Sequence, residues 1–235
     1  MASEGSSESI NLIVDKEDYS RSFYEQKLCF EPFVEENKYM VPIGFLSHGT
    51  SIRWFLDKFG ADFGEKGIDD RYARADAGCP KECGDLFCVP YLSSVKTRDT
   101  KNQTKGCFVG LDFSCGAAEM YRALLEGLCY ESRSGIEILK SLDLKMNSLI
   151  AAGGCSKSQV LMQMKADVLK MPVQILESAE SGIMGLAAIC AESEHKYPNY
   201  AHTVERFVRL GKIYYPVRDY GQRYEQYKKI VNKIR

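Results

Sequence analysis

A strand-like run that ends on two glycines, LIAAGG at 149–154, leads into a helix-like run, SQVLMQMKADVLK at 158–170. Such a junction presents backbone N–H groups and the positive end of a helix dipole to whatever lies above it. Gly153 and Gly154 have no side chains to cover that backbone. A phosphate, or an adenosine lying flat against the main chain, would find room there. The other reading of the pair is a tight strand-to-helix turn, and two glycines alone do not choose between the two. Ser156 or Ser158 is suited to cap the helix. A second candidate for chemistry is the group Cys79, Cys83 and Cys88, which invites a test for zinc. No fourth ligand is evident among His48, His195 and His202, and zinc prefers four, so plain loop and core thiols are expected and no metal is assigned.

These residues must be positioned by an ordinary globular chain. It has 235 residues, 45% hydrophobic and 27% charged, enough for one sizeable core. Its 31 basic and 32 acidic residues are scattered through both halves, leaving no basic stripe of the kind that tracks nucleic acid. No apolar run approaches the roughly 20 residues that cross a bilayer. The opening MASEGSSESI lacks a charged and then apolar leader. The expected location is the cytoplasm, away from membranes. Nine cysteines, an odd number lying partly inside apolar runs, are expected as free thiols in a reducing compartment.

The pattern of elements is α/β. INLIV (10–14) reads as a buried strand, and HGTSIRWFLDKFG (48–60) as a loop and short helix with Trp54, Phe55 and Phe59 on one side. A polar, glycine-containing loop is expected over 60–84. DLFCVPYL (85–92) and GCFVGLDF (106–113) read as strands. The longest helix signal runs from Gly116 to Leu142, where Met120, Leu124, Leu128, Ile136 and Leu139 keep a period near 3.6. PVQIL (172–176) reads as a strand, ESGIMGLAAICAESE as a helix of small residues, and YGQRYEQYKKIVNKIR as an amphipathic helix carrying Tyr220, Tyr224 and Tyr227. Trp54 and Tyr91 are expected in the core rather than stacked on a ligand.

Taken in order, several of these segments resemble the C-terminal half of the FGGY family of carbohydrate kinases. GCFVGLDFSCGAAEMYRALLEGLCYE (106–131) is similar to the family's G-x-F-x-G-L segment followed by an A-x-x-E helix, here Gly106, Phe108, Gly110, Leu111, Ala123 and Glu126, with Leu124 a departure. AAGGCSKSQVLMQMKADVLKMPV resembles the adenosine-binding stretch, with Cys155 where a third Gly or an Ala is common. ESAESGIMGLAA resembles the helix that follows it. VPYLSSVKTRD resembles a P-Y-L-S-G-E-R-T-P loop from which Ser94, Val95, Lys96 and Arg98 depart. The tail resembles the family's closing Y-x-x-Y-x-x-Y helix, and SEGSSESINLIV its phosphate-holding G-T-x hairpin, with Ser6 for Thr.

The resemblance implies an actin-like, ribonuclease-H-like ATPase fold with a central mixed sheet flanked by helices. It implies transfer of the ATP γ-phosphoryl group to a sugar or polyol hydroxyl, with ATP/ADP and Mg²⁺ as cofactors. Residues 1–235 correspond to the nucleotide-binding domain. The sugar contacts, the metal-binding acid and the catalytic Asp belong to an N-terminal domain outside this chain, so no catalytic residue is assigned and Asp15 is read as an ordinary strand-end acid. The resemblance places Gly5 and Ser6 on phosphate, Gly49 and Arg53 (from a G-x-x-I-Q-W segment) at the ADP site, Gly153 and Gly154 under adenosine, and Ser158 on adenine or ribose. Arg53 reads equally as a solvated helix residue and Ser158 as a helix cap. Two functions follow: the ATP-binding half of a sugar kinase, or a non-catalytic remnant serving as a nucleotide-binding or interaction module. A homodimer or a separately encoded N-terminal half would cover the wall left exposed.

Overall fold

Two short polar-apolar alternations at the start of the chain pair as a hairpin: β1 (Ala2–Glu4) and β2 (Glu8–Asp15), antiparallel, with Ala2 opposite Ile10 and Glu4 opposite Glu8. Ala2, Glu4, Glu8, Ile10 and Val14 are buried. The computed structural model describes residues 1–16, 20–45, 47–63, 67–93, 105–178 and 180–234. The departures at 94–98 lie outside them.

Helix α1 (Arg21–Glu25) and strands β3 (Glu31–Pro32) and β4 (Lys38–Phe45) follow, with β4 pairing antiparallel to both β2 and β3. Helix α2 (Gly49–Phe59) buries Ile52, Phe55 and Leu56. Trp54 is 37% exposed, against the core placement expected for it. It sits one position, about 100°, off the buried stripe, and its ring meets only the edge of Phe59 among the aromatic side chains described, at 5.6 Å. Tyr91 is half-buried, its hydroxyl donating to Glu131 at 3.1 Å.

The loop expected over 60–84 is instead a 3-10 turn, Gly60–Phe63, and helix α3 (Ile68–Ala77). IDDRYARADA is rich in charge and poor in large apolar residues, so its period was weak. It is held by few anchors, among them fully buried Ala75 and a 2.8 Å bond from the Tyr121 hydroxyl to Asp76. Strands β5 (Phe87–Val89) and β6 (Cys107–Val109) form a separate antiparallel pair.

Helix α4 (Ala117–Lys140) matches its apolar period almost to the residue, with the Glu119 carboxylate accepting from the Gly116 N–H at 2.9 Å. Beyond it come β7 (Leu149–Ala152), α5 (Gln159–Leu169), β8 (Val173–Leu176), α6 (Ser181–Ser193), α7 (Tyr200–Phe207), β9 (Leu210–Tyr214) and α8 (Gly221–Ile234). Among the described residues the main sheet has seven strands in the order β3-β4-β2-β1-β7-β8-β9. β1, β7 and β8 run parallel and the outer pairs antiparallel, so the sheet is mixed, as expected.

The main core joins this sheet to α2, α4, α5 and α8. Buried Glu126 ties α4 to α8, accepting from Arg122 at 2.9 Å and from Arg223 at 2.8 Å. The tyrosines of α8 close on α4, the Tyr227 hydroxyl donating to Glu131 at 2.6 Å and that of Tyr224 to Glu137 at 2.8 Å. Ile183, Leu186 and Ile189 on α6 are exposed. No described helix is long and apolar enough to cross a membrane.

Candidate functional site

Three loops converge where β1 turns into β2. The turn itself, residues 5–7, carries exposed Ser6 and Ser7. The lead-in to α2 is bonded to it: the Ser6 carbonyl accepts from the backbone N–H groups of His48 and Thr50 at 3.1 and 3.0 Å and from the Thr50 hydroxyl at 2.9 Å, and the Gly5 carbonyl accepts from Gly49 at 3.1 Å. The first N–H groups of α2 are thus used on the hairpin rather than offered to a ligand. A side chain at Gly49 would lie 2.4 Å from the Gly5 carbonyl oxygen and 2.8 Å from the Cys155 sulfur, so only glycine permits this approach.

The third loop is the glycine turn after β7. Gly153 has φ +117°, and a Cβ there would lie 2.6 Å from the Glu4 carbonyl oxygen. Its bareness serves the packing of β7 against β1. Gly154 is different: it is exposed, and a Cβ built on it meets nothing within 4 Å. The thiol of Cys155 turns inward to the Gly5 carbonyl at 3.6 Å, and burial pushes its pKa up to about 12, so it stays a neutral donor. The Ser158 hydroxyl accepts from the Leu161 N–H at 3.1 Å, capping α5. Ser158→Ala should therefore lower stability by about 1 kcal/mol in urea unfolding. A change in nucleotide affinity much larger than that would give the hydroxyl a ligand role as well. Arg53 lies on the solvent face of α2, its side chain 68% exposed and 3.7 Å from Asp57. Asp15 pairs with Lys38 at 2.7 Å, an ordinary surface ion pair.

Beneath the turn lies a group that the sequence reading did not single out. Glu4, Glu8, His48 and Lys165 are all buried. The Lys165 ammonium donates to Glu4 Oε1 and, at 2.7 Å, to Glu8 Oε1. The Ser132 hydroxyl on α4 donates to Glu8 Oε2 at 2.6 Å. His48 Nε2 lies 3.5 Å from Glu4 Oε2 and 3.6 Å from Glu8 Oε2, and among the described residues Glu4 Oε2 and both ring nitrogens have no hydrogen-bond partner. Burial pushes Glu4 up to about 7, against the pull of Lys165. Glu8 feels the same burial, yet Lys165 and then His48 outweigh it and hold the carboxyl below its usual value. Burial drives His48 down to about 4, so the ring is neutral at pH 7. Lys165 stays charged because the two carboxylates outweigh its own desolvation.

With His48 neutral, two carboxylates and one ammonium leave one negative charge in a buried pocket. The facing atoms of Glu4, Glu8 and His48 lie within 4.8 Å of one another, close enough to suggest metal ligands. A divalent ion beside Lys165 would turn the net −1 into +1. A single proton brings the group to neutrality, and that is the state a low-dielectric pocket favours. Among the described residues no cysteine belongs to a metal-holding cluster, and all nine cysteines are free thiols.

The sequence model of the FGGY family of carbohydrate kinases, C-terminal domain, matches residues 11–193. The chain belongs to the FGGY family of carbohydrate kinases. Among curated FGGY relatives, a xylulose kinase of Staphylococcus epidermidis is 26% identical over 189 residues, covering 80% of this chain and 37% of that protein. A glycerol kinase of Pseudothermotoga lettingae shows the same identity and coverage. The chain thus spans less than half the length of these relatives. Among solved structures, the xylulose kinase of Rhodospirillum rubrum superposes with a TM-score of 0.81 at 22% identity, covering 98% of this chain and 45% of that one. The glycerol kinase of Plasmodium falciparum, solved with ADP, gives 0.80 at 16%, covering 99% and 46%. The fold is that of the FGGY sugar kinases, an actin-like ATPase fold.

Proposed function

We propose that this chain is the nucleotide-holding half of a carbohydrate kinase, binding ATP or ADP across the 5–7 turn and the glycine turn after β7. The observation that carries the reading is the convergence at Gly49. Its contacts with Gly5 and Cys155 bring together segments 150 residues apart in the chain. Exposed Ser6 offers a hydroxyl to phosphate, and the open backbone at Gly154 offers a flat seat to adenosine. Gly5, Gly49 and Gly153 shape that seat from below. Arg53 is in reach of solvent and contributes charge to the approach of an anion. Ser158 holds the end of α5 beneath the base.

The fit differs for the two cofactors. The turn, the bare Gly154 and the Ser6 hydroxyl suit a nucleotide. Mg²⁺ finds no acidic cluster beside the turn among the described residues, since the one cluster of suitable groups is buried beneath it and already holds an ammonium. Bound nucleotide leaves its terminal phosphate at the turn, facing a second domain that supplies the sugar site and the base. The acceptor is a sugar or polyol hydroxyl, and residues 1–235 act as one C-terminal domain.

Calorimetric titration with ADP and ATP tests the reading. Gly154→Leu should leave thermal stability within about 0.5 kcal/mol of the parent. It should weaken ADP by at least about tenfold, or 1.4 kcal/mol. Unchanged affinity in that variant would move the nucleotide away from Gly154, and no heat at millimolar nucleotide would move the chain to the interaction-module reading.

A further inference from the structure

We propose that Glu4 is a proton-accepting positioning residue of the nucleotide site: occupation of the 5–7 turn by an anion draws one proton onto the Glu4–Glu8–His48–Lys165 group beneath it. The inference rests on the nucleotide reading of that turn.

Placement is the first support. Glu4 and Glu8 are the residues on either side of the turn, directly opposite one another in the hairpin ladder. His48 reaches the same turn twice, through its backbone N–H to the Ser6 carbonyl at 3.1 Å and through its ring towards both carboxylates. The charge group and the turn are thus one piece of structure, and a change in one is felt by the other without any intervening wire.

The second support is the missing partner. Glu4 Oε2 is buried, unpaired among the described residues and 3.5 Å from an equally unpaired imidazole nitrogen. With the imidazole hydrogen on Nδ1, a proton on that oxygen gives the pair a donor and an acceptor where two lone pairs would otherwise face each other. Among the described residues no other ionisable neighbour competes for the role. Lys165 on α5 already donates to both carboxylates, and Ser132 on α4 saturates the far oxygen of Glu8. Cys129 on α4 and Cys155 after β7 also feel the cluster, and burial holds both thiols neutral, Cys155 up to about 12 and Cys129 higher.

The sign follows from Coulomb's law. A phosphate at the turn adds negative potential to a pocket that already carries one surplus negative charge, so it raises the proton affinity of Glu4. Glu4 in the free protein sits at about 7, and with anion bound it sits higher. Binding above neutral pH therefore takes up a proton, and by linkage the affinity is greatest below pH 7 and falls as pH rises through the window above it. The expected fall between pH 6.5 and 8.5 is roughly five- to tenfold.

Glu4→Gln supplies the decisive comparison, because the amide mimics the protonated carboxyl in shape and charge. ADP affinity is measured from pH 6 to 9 for both proteins, and the difference between the two profiles removes the titration of the nucleotide itself. The variant should lose the extra pH dependence and bind ADP several-fold tighter than the parent at pH 8.5. In the parent, calorimetry at pH 7.5 in buffers of different ionisation enthalpy should show uptake of a substantial fraction of one proton, a readout that needs no variant to fold. Parallel pH profiles, or no buffer dependence in the parent, overturn the inference and leave the nucleotide reading standing. No ADP binding at any pH removes both.

Discussion

Gly153→Ala is expected to destabilise the domain by about 3 kcal/mol or more, among the largest effects of any single methyl group in the molecule. Two costs act together. The φ of +117° is one that residues with a Cβ rarely adopt, and the new carbon would lie 2.6 Å from the Glu4 carbonyl oxygen and 2.8 Å from its carbon. The atoms it meets are backbone of β1, which has no rotamer by which to give way. Either β1 shifts, breaking its parallel ladder with β7, or the glycine turn opens and releases Ser156, whose hydroxyl donates to the Gly153 carbonyl at 2.7 Å. Urea unfolding measures the loss, and Gly154→Ala is the control. One residue further on, with open space around it, it should cost nothing or gain a few tenths of a kcal/mol. Equal effects at the two positions would show that the packing of β7 on β1 is not what Gly153 is for.

Lys165→Met is the second large expectation, a loss of about 3–5 kcal/mol at pH 8. Methionine matches the length of the lysine stem and fits the neighbouring Leu161, Met162 and Met164, which are buried. Packing is therefore not what suffers. The cost is electrostatic: removing the ammonium leaves Glu4 and Glu8 facing one another at a paired position of the hairpin with no counter-charge. Replacing both carboxylates as well, in the triple variant Glu4→Gln, Glu8→Gln, Lys165→Met, should restore most of the stability, because the amides can bond to each other and to Ser132. A triple variant no more stable than Lys165→Met alone would show that the lysine acts by shape.

How much of this was legible in the sequence depends on where the information sits. Helix α4 was legible because twenty-four residues repeat one apolar period, and α5 because a glycine turn and a capping serine announce its start. β4 was not read as a strand: its KYMVPIGF contains a proline, yet Pro42 faces Asn11 across the ladder and the strand forms along its whole length. α7 and β9 are short: α7 is capped by Asn199, whose side chain accepts from the His202 N–H at 3.1 Å, and is tied to α6 by the 2.8 Å bond from the Thr203 hydroxyl to Glu192, while β9 is ordered by its antiparallel pairing with β8.

The candidate site divides in the same way. The resemblance carried Gly5, Gly49 and Gly153 to one place, and it could not say that two of them are glycine because backbones touch. The buried charge group left a trace that was available: Glu4 and Glu8 occupy the inward parity of their strands, in step with Ala2 and Ile10, and Lys165 interrupts the apolar face of α5. A charged residue on an apolar period is the signal to look for. Its partners were 157 and 161 residues away, so their pairing could only come from the fold.

Strand β1 has a further consequence, in the order of assembly. Its three residues join the antiparallel β2–β4 side of the sheet to the parallel β7–β8 side, with Ala2 beside Ala151. During synthesis the hairpin leaves the ribosome ahead of its parallel neighbour, which follows only after about 150 residues, on the order of 10 s at ordinary translation rates. For that interval the short β1 edge of the nascent hairpin stays open, a template for stray pairing that a chaperone or a quick collapse of α2 can shield.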